Sequence, residues 1–193
     1  LTDEELRLNE KEMAMLEKVN ATFENIIVLF NIANVMEMGW IDEYESIKAA
    51  AIVWIPGEFG MTAVPQMLNG KVNPSGRLTD TISYKIEDHP SSECFGSYQY
   101  NGGKNFVEYY EGIYVGYRYF ETFAKDKVQY PFGYGLSYTS FEKEVVSTDF
   151  NAENITVSVK VTNTGDMAGK EVVQLYYSAP YTEGGIEKSA ICL

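Results

Sequence analysis

The sequence predicts a partial α/β domain with a mostly parallel sheet, followed by an incomplete antiparallel β-sandwich. Three observations carry this. Two short apolar runs, "NIIVLFNI" (25–32) and "AAAIVWI" (49–55), lack polar alternation, as strands buried on both faces do. Helical patterns alternate with them, which is the rhythm of crossover connections. Beyond residue 141 the chain turns to β-branched alternation broken by turn formers, which is hairpin chemistry.

The first helix is predicted over residues 10–22. Asn9 with Glu12 three residues on has the form of a capping box. Met13, Leu16, Val19 and Phe23 then recur at helical spacing, which makes a core-facing stripe. Between the two strands, "EYESIKAA" (43–50) is read as a short helix. "PGEFGM" (56–61) is a turn, and "MTAVPQML" (61–68) a helix that Pro65 kinks or shortens. "NGKVNPSGRL" (69–78) is dense in turn formers and reads as an exposed loop. Residues 85–106 keep no period, and such a stretch is often functional or packed on a neighbour.

Domain ranges follow: 1–125 for the α/β part, 126–140 for an aromatic and glycine-rich connector, and 141–193 for the start of the sandwich. Ile155, Val157, Val159 and Val161 share one face of a strand, with Thr156, Ser158, Lys160 and Thr162 on the other. "EVVQLYYSA" (171–179) is read as a further strand. A complete sandwich takes about seven strands, so this one is incomplete. The chain reads as a piece of a longer protein. In the connector, "YPFGYGLSYTSF" (130–141) holds Tyr130, Phe132, Tyr134, Tyr138 and Phe141. Most of these rings are expected to be buried in a joint, with Gly133 and Gly135 allowing tight turns.

Composition excludes several functions. The net charge of −13 repels phosphate, so nucleic acid is not expected as a partner, nor an anionic membrane. The apolar runs are far shorter than a bilayer span. The charged, helical start is not a signal peptide. Cys94 and Cys192 lie far apart and without metal-ligand spacing. Reduced thiols and the absence of a leader in this segment favour the cytoplasm. No cofactor or metal is expected: one His and two separated Cys cannot build a metal cluster.

Candidate catalytic groups are sparse. His89 in "EDHPSS" is the one histidine, so any Ser–His or Cys–His system would need it; a non-catalytic loop histidine is favoured. "PGEFG" lacks the spacing of a phosphate loop. Glu58 within it stands at the C-terminal end of a strand, where α/β ligands gather, yet a structural carboxylate is favoured. Glu108 and Glu111 are paired carboxylates such as glycosidases use, against a solvated acidic turn, which is favoured. Arg118, among Tyr117, Tyr119 and Phe120, could stack or enter an ion pair. The residues alone assemble no catalytic constellation.

Five segments nevertheless occur in a recognisable order: "WIPGEFG" (54–60), "NGKVNPSGRLTDT" (69–81), "YYEGIYVGYRYFET" (109–122), "YPFGYGLSYTSF" (130–141) and "VKVTNTGDMAGKEVVQLYYSAP" (159–180). The ordered set resembles family 3 glycoside hydrolases, the β-glucosidase and β-xylosidase family, over nearly the whole chain. The resemblance implies the C-terminal part of the family's α/β sandwich domain, then the start of a fibronectin type III-like module. It implies retaining hydrolysis of β-glycosides by two carboxylates, one on a TIM-like barrel and one in a loop that the resemblance puts upstream of Leu1, so no catalytic residue is carried onto this chain. The implied partners are a β-glucoside or related oligosaccharide and the remaining domains of the same protein; a homo-oligomer is compatible. Gly57 and Glu58 match the family pattern. Met61, where the family has glycine, and Thr79, where it has proline, depart from it. Two other readings stand beside this one: a non-catalytic carbohydrate-binding fragment, and an interaction module completed by another chain.

Overall fold

The computed structural model describes residues 6–94, 98–99, 103, 105–151 and 153–193. In chain order its elements are α1 (Glu10–Asn20), β1 (Ile26–Phe30), β2 (Ile47–Ile52), α2 (Gly57–Gly60), α3 (Ala63–Leu68), β3 (Ile82–Ser83), β4 (Tyr98–Gln99), β5 (Asn105–Phe106), α4 (Tyr117–Phe123), β6 (Val128–Tyr130), β7 (Phe141–Phe150) and β8 (Ile155–Asn163). They form two compact units. The first holds residues 1–56, 78–133 and 174–193; the second holds 57–77 and 134–173.

In the first unit, α1 begins as its sequence requires. Asn9 Oδ1 accepts from the amides of Lys11 and Glu12, and Glu12 Oε2 accepts from the Asn9 amide, completing the capping box. Leu16 is buried and Met13 and Val19 half-buried, so the stripe faces inward; Phe23, beyond the helix end, is exposed. β1 and β2 pair in parallel. Phe30, Met38, Ile41 and Ile82 form the core, with Val28, Ile47, Ile52 and Tyr130 packed against them. Trp40 meets Phe30 at 5.9 Å between centroids.

Two expectations change here. Residues 43–50 are not a helix: a 3₁₀ turn spans Gly39–Glu43, and Ile47 already belongs to β2. Pairing with β1 outweighs the helix propensity of "KAAA" (48–51), because Ala49 to Ala51 sit opposite Ile27 to Leu29. Nor is β1 buried on both faces. Ile26 and Phe30 are buried, whereas Ile27 and Leu29 are exposed. The sheet has two strands, and the core covers one side of it.

The irregular stretch 85–106 holds 3₁₀ turns at Ile86–Asp88 and Ser92–Cys94 and the small antiparallel pair β4–β5; its residues 95–97, 100–102 and 104 lie outside the described residues. β3 and β6 pair antiparallel through Ile82 and Tyr130. Residues 174–193 are irregular, with a turn at 183–184, and the predicted strand at 171–179 is reduced to one bridge, Tyr177 with Cys192. Further along the chain, backbone amides pair with side chains of α4. The Ala190 amide donates to Thr122 Oγ1 at 2.9 Å, and the Leu193 amide to the Tyr117 hydroxyl at 2.8 Å. Cys94 is buried and Cys192 half-buried, and no disulfide joins them.

The second unit explains why "NPSGRL" and "YGLSYT" belong together. Asn73 Oδ1 accepts from the Tyr138 amide at 2.8 Å and from Ser137 Oγ at 2.9 Å, while its Nδ2 donates to Ala168 O at 3.0 Å. The Tyr138 hydroxyl donates to Met67 O at 2.9 Å. Arg77 donates to Gly135 O, and a Cβ at Gly135 would collide with Gly76 O. The loop at 69–78 is therefore anchored: Asn73, Pro74, Ser75 and Arg77 are half-buried rather than exposed.

β7 and β8 make a long antiparallel ribbon with a bulge at Val146. Val157 and Val159 are half-buried, but Ile155 and Val161 are exposed. The alternation is present; two strands alone leave the apolar face largely open. The expected burial of five aromatic rings is also corrected. Tyr130, Phe132 and Phe141 are half-buried, Tyr134 and Tyr138 are 38% and 51% exposed, and none is buried. Tyr138 is held by its hydroxyl tip, which leaves the ring in solvent.

Candidate functional site

Gly116 adopts φ 58°, a conformation that side chains disfavour, and the chain turns there into α4. Tyr117 and Glu121, one helical turn apart, then lie on the same side of α4. Phe120 is buried, with only 1% of its surface exposed. The rings of Tyr117 and Phe132 lie 5.2 Å apart, tilted by 33°, and Tyr176 meets Tyr117 edge-on at 5.6 Å and 79°. Two mutually tilted rings and a third nearly at right angles to one of them make an aromatic corner. Gly133, at φ 81°, leaves room for the Gln174 amide, which a Cβ there would meet at 2.5 Å. A pocket of about 190 Å³ results, with Thr81, Glu121 and Gln174 among its polar linings.

Some of its polar groups have defined partners, whereas the buried Thr81 Oγ1 has none among the described residues. Tyr176 Oη donates to Gln174 Oε1 at 3.1 Å, and Lys125 Nζ pairs with Glu121 Oε2 at 3.0 Å. Burial pushes the Tyr176 phenol above its ordinary pKa, with the field of Tyr117 and Glu121 adding to it.

The sequence candidates are scattered. Glu58 is exposed in the single turn of α2, in the second unit. Glu108 and Glu111 belong to the first unit. Glu108 is exposed and accepts from Tyr110 Oη; Glu111 is half-buried, and its carbonyl accepts from the Tyr114 amide at 2.8 Å. His89 is half-buried, edge-on to Phe120 at 5.0 Å. Burial lowers its pKa, with Asp88 and Asp80 opposing. Arg118 stands 5.9 Å from the Tyr117 ring centroid, and its buried Nε has no hydrogen-bond partner among the described residues. Among the described residues no three of His, Cys, Asp and Glu gather to hold a metal ion, and no helix is long and apolar enough to cross a membrane.

Sequence reading missed Glu121, Gln174 and Tyr176. Their signals were present: Tyr117 and Glu121 at helical spacing, and Gln174 and Tyr176 on one side of an alternating segment.

The aromatic corner and the paired "NPSGRL" and "YGLSYT" motifs sit within a glycoside hydrolase frame. Residues 2–138 match the glycosyl hydrolase family 3 C-terminal domain, and the chain belongs to that family. It is similar to a beta-glucosidase of Ruminococcus albus, 44% identical over 187 residues, which covers 96% of this chain and 19% of that protein. The solved beta-glucosidase of Paenibacillus barengoltzii superposes with a TM-score of 0.86 at 47% identity, over 96% of this chain and 20% of that one. Beta-glucosidase 3B of Thermotoga neapolitana, solved in complex with glucose, gives 0.82 at 35% identity, over 95% of this chain and 25% of that one. The chain thus spans about a fifth of the length of the relatives it matches.

Proposed function

We propose that the chain is part of a β-glucosidase that hydrolyses terminal β-linked glucosides with retention, and that its own role is to brace and close one side of the sugar site. The catalytic carboxylates belong to other parts of the protein, one on a barrel and one in a loop upstream of Leu1. The observation that carries this reading is the agreement over 96% of the chain with a protein named a beta-glucosidase. The placement of Glu58, Glu108 and Glu111 supports the second half: the first lies in one unit, the other two in the other, and two of the three are exposed. General acid catalysis calls for a carboxyl group kept partly from water. Residues 1–125, 126–140 and 141–193 then serve as the end of the α/β sandwich domain, a connector, and the start of the fibronectin-like module.

The test is turnover of an aryl β-glucoside by the full-length protein and by the isolated chain. Turnover by the first alone is expected. Turnover by the isolated chain would overturn the placement of the carboxylates, and none by either would overturn the hydrolase reading. A second reading, a carbohydrate-binding surface without catalysis, draws on the exposed rings of Tyr109 and Tyr110, the former 87% exposed. Sugar binding by a full-length protein that never turns over would favour it.

A further inference from the structure

The pocket beside α4 holds groups that the hydrolase reading does not use. It is a corner, not a cleft. Tyr117 and Phe132 form one wall and Tyr176 stands across it. Such a corner accepts a flat, disc-shaped molecule: one apolar C–H face lies on a ring, and one edge meets the crossing ring. At about 190 Å³ the space falls below the roughly 300 Å³ at which drug-sized sites begin. It suits one small ring and not an oligosaccharide.

The polar groups narrow the chemistry. Gln174 Oε1 is engaged by Tyr176, and its Nε2 makes no hydrogen bond among the described residues. Gln174 lines the site together with the buried Thr81 hydroxyl, which has no partner among the described residues. The Glu121 carboxylate has one partner, Lys125, and keeps lone pairs for further donors. An amide donor beside a carboxylate acceptor matches adjacent hydroxyls, each of which both donates and accepts. The lining contains one acidic residue and none that is basic, so it offers nothing to a phosphate or carboxylate. A purely apolar ligand would leave Gln174 Nε2 and the spare lone pairs of Glu121 unmatched, a loss in affinity.

We propose that this pocket binds a single neutral pyranose or a cyclic polyol of that size, its C–H face on the aromatic corner and its hydroxyls on Gln174 Nε2 and the Glu121 carboxylate. Its ligand is held by residues none of which is among the candidate carboxylates, so occupancy is independent of hydrolysis.

The experiment is a D-glucose titration of the full-length protein, read by NMR at the methyl group of Ile191, which lines the pocket. The Ile191 signal should shift saturably. Gln174→Leu and Glu121→Ala should each move its midpoint to about three- to tenfold higher glucose, the worth of one hydrogen bond. Met15→Ala, exposed on α1 and outside the pocket, should leave it unchanged. An Ile191 signal that does not move at saturating glucose overturns the proposal, as do midpoints unaltered in both pocket variants. A shift with cyclohexanol and none with glucose overturns it too. Because the readout is local to Ile191, it stands apart from aryl-glucoside turnover, and either reading can fail alone.

Discussion

Arg77 and Glu171, 94 residues apart in sequence, meet at 2.6 Å between Nη2 and Oε2, with side chains only 13% and 10% exposed. The other carboxylate oxygen of Glu171 takes Lys143 Nζ at 2.6 Å. One carboxylate thus ties the "NPSGRL" loop to strand β7. The hydrogen bond from Lys143 lowers the Glu171 pKa, desolvation opposes it, and Arg77 lowers it further. A depressed carboxylate gives stability that is complete above its unfolded value of about 4.3 and lost as pH falls through the folded one. Glu171→Gln should cost about 2 kcal/mol at pH 7, between the exposed-pair and buried-pair ranges. Urea unfolding at pH 7 and pH 3.5 reads it: the cost should shrink in acid. An equal cost at both pH values would assign the effect to packing.

His89 should make a second, separate pH limb. Burial beside Phe120 lowers its folded pKa, so the unfolded chain binds its proton first. Stability is then complete above the unfolded value of about 6.5 and falls with acidification down to the depressed folded value. His89→Gln should remove that limb while leaving the one below pH 4.5. Unfolding free energies measured every half unit from pH 3.5 to 8 separate the two, and an unchanged slope between pH 5 and 6.5 in the variant would refute the assignment.

Asn9 caps α1 through two backbone amides, at 3.0 and 3.1 Å. Asn9→Ala should cost about 1 kcal/mol, and Asn9→Ser much less, because the serine oxygen can also accept. Denaturant midpoints at constant m-value measure it. Equal losses for the two variants would mean that the cap does not set the helix's stability.

Glu58→Gln, Glu108→Gln and Glu111→Gln should leave kcat on an aryl β-glucoside within about threefold in the full-length protein. A general acid or base is worth about 10²–10⁴ in rate. A hundredfold loss in any one of them would move that residue into the catalytic machinery.

Much of the fold was legible because its signals are local. Asn9 with Glu12 announced α1, and the apolar run at 26–30 announced β1. The alternation from Ile155 to Val161 announced β8. What failed was set by partners distant in sequence. β2 begins inside a segment of helical propensity because β1 lies beside it. The segment at 171–179 has the composition of a strand, but its backbone pairs once, Tyr176 turns to α4 and Glu171 to Arg77 and Lys143. The pocket was not legible for the same reason: Tyr117, Phe132 and Tyr176 come from three separate stretches, and only folding brings their rings together. The family motifs were read correctly as an ordered set, and Asn73 and Arg77 give them a physical cause.

The β7–β8 ribbon has a consequence for handling the protein. Val145, Val146, Phe150 and Ile155 are open to solvent on a strand pair ten residues long, an invitation to edge-on growth between molecules. The Val146 bulge and the charges of Glu142, Glu144 and Asp149 oppose that growth by twisting the edge and repelling a second copy. Salt screens the repulsion and keeps the ribbon. Light scattering during a salt titration at pH 7 should therefore rise before circular dichroism reports unfolding, so colloidal failure precedes conformational failure.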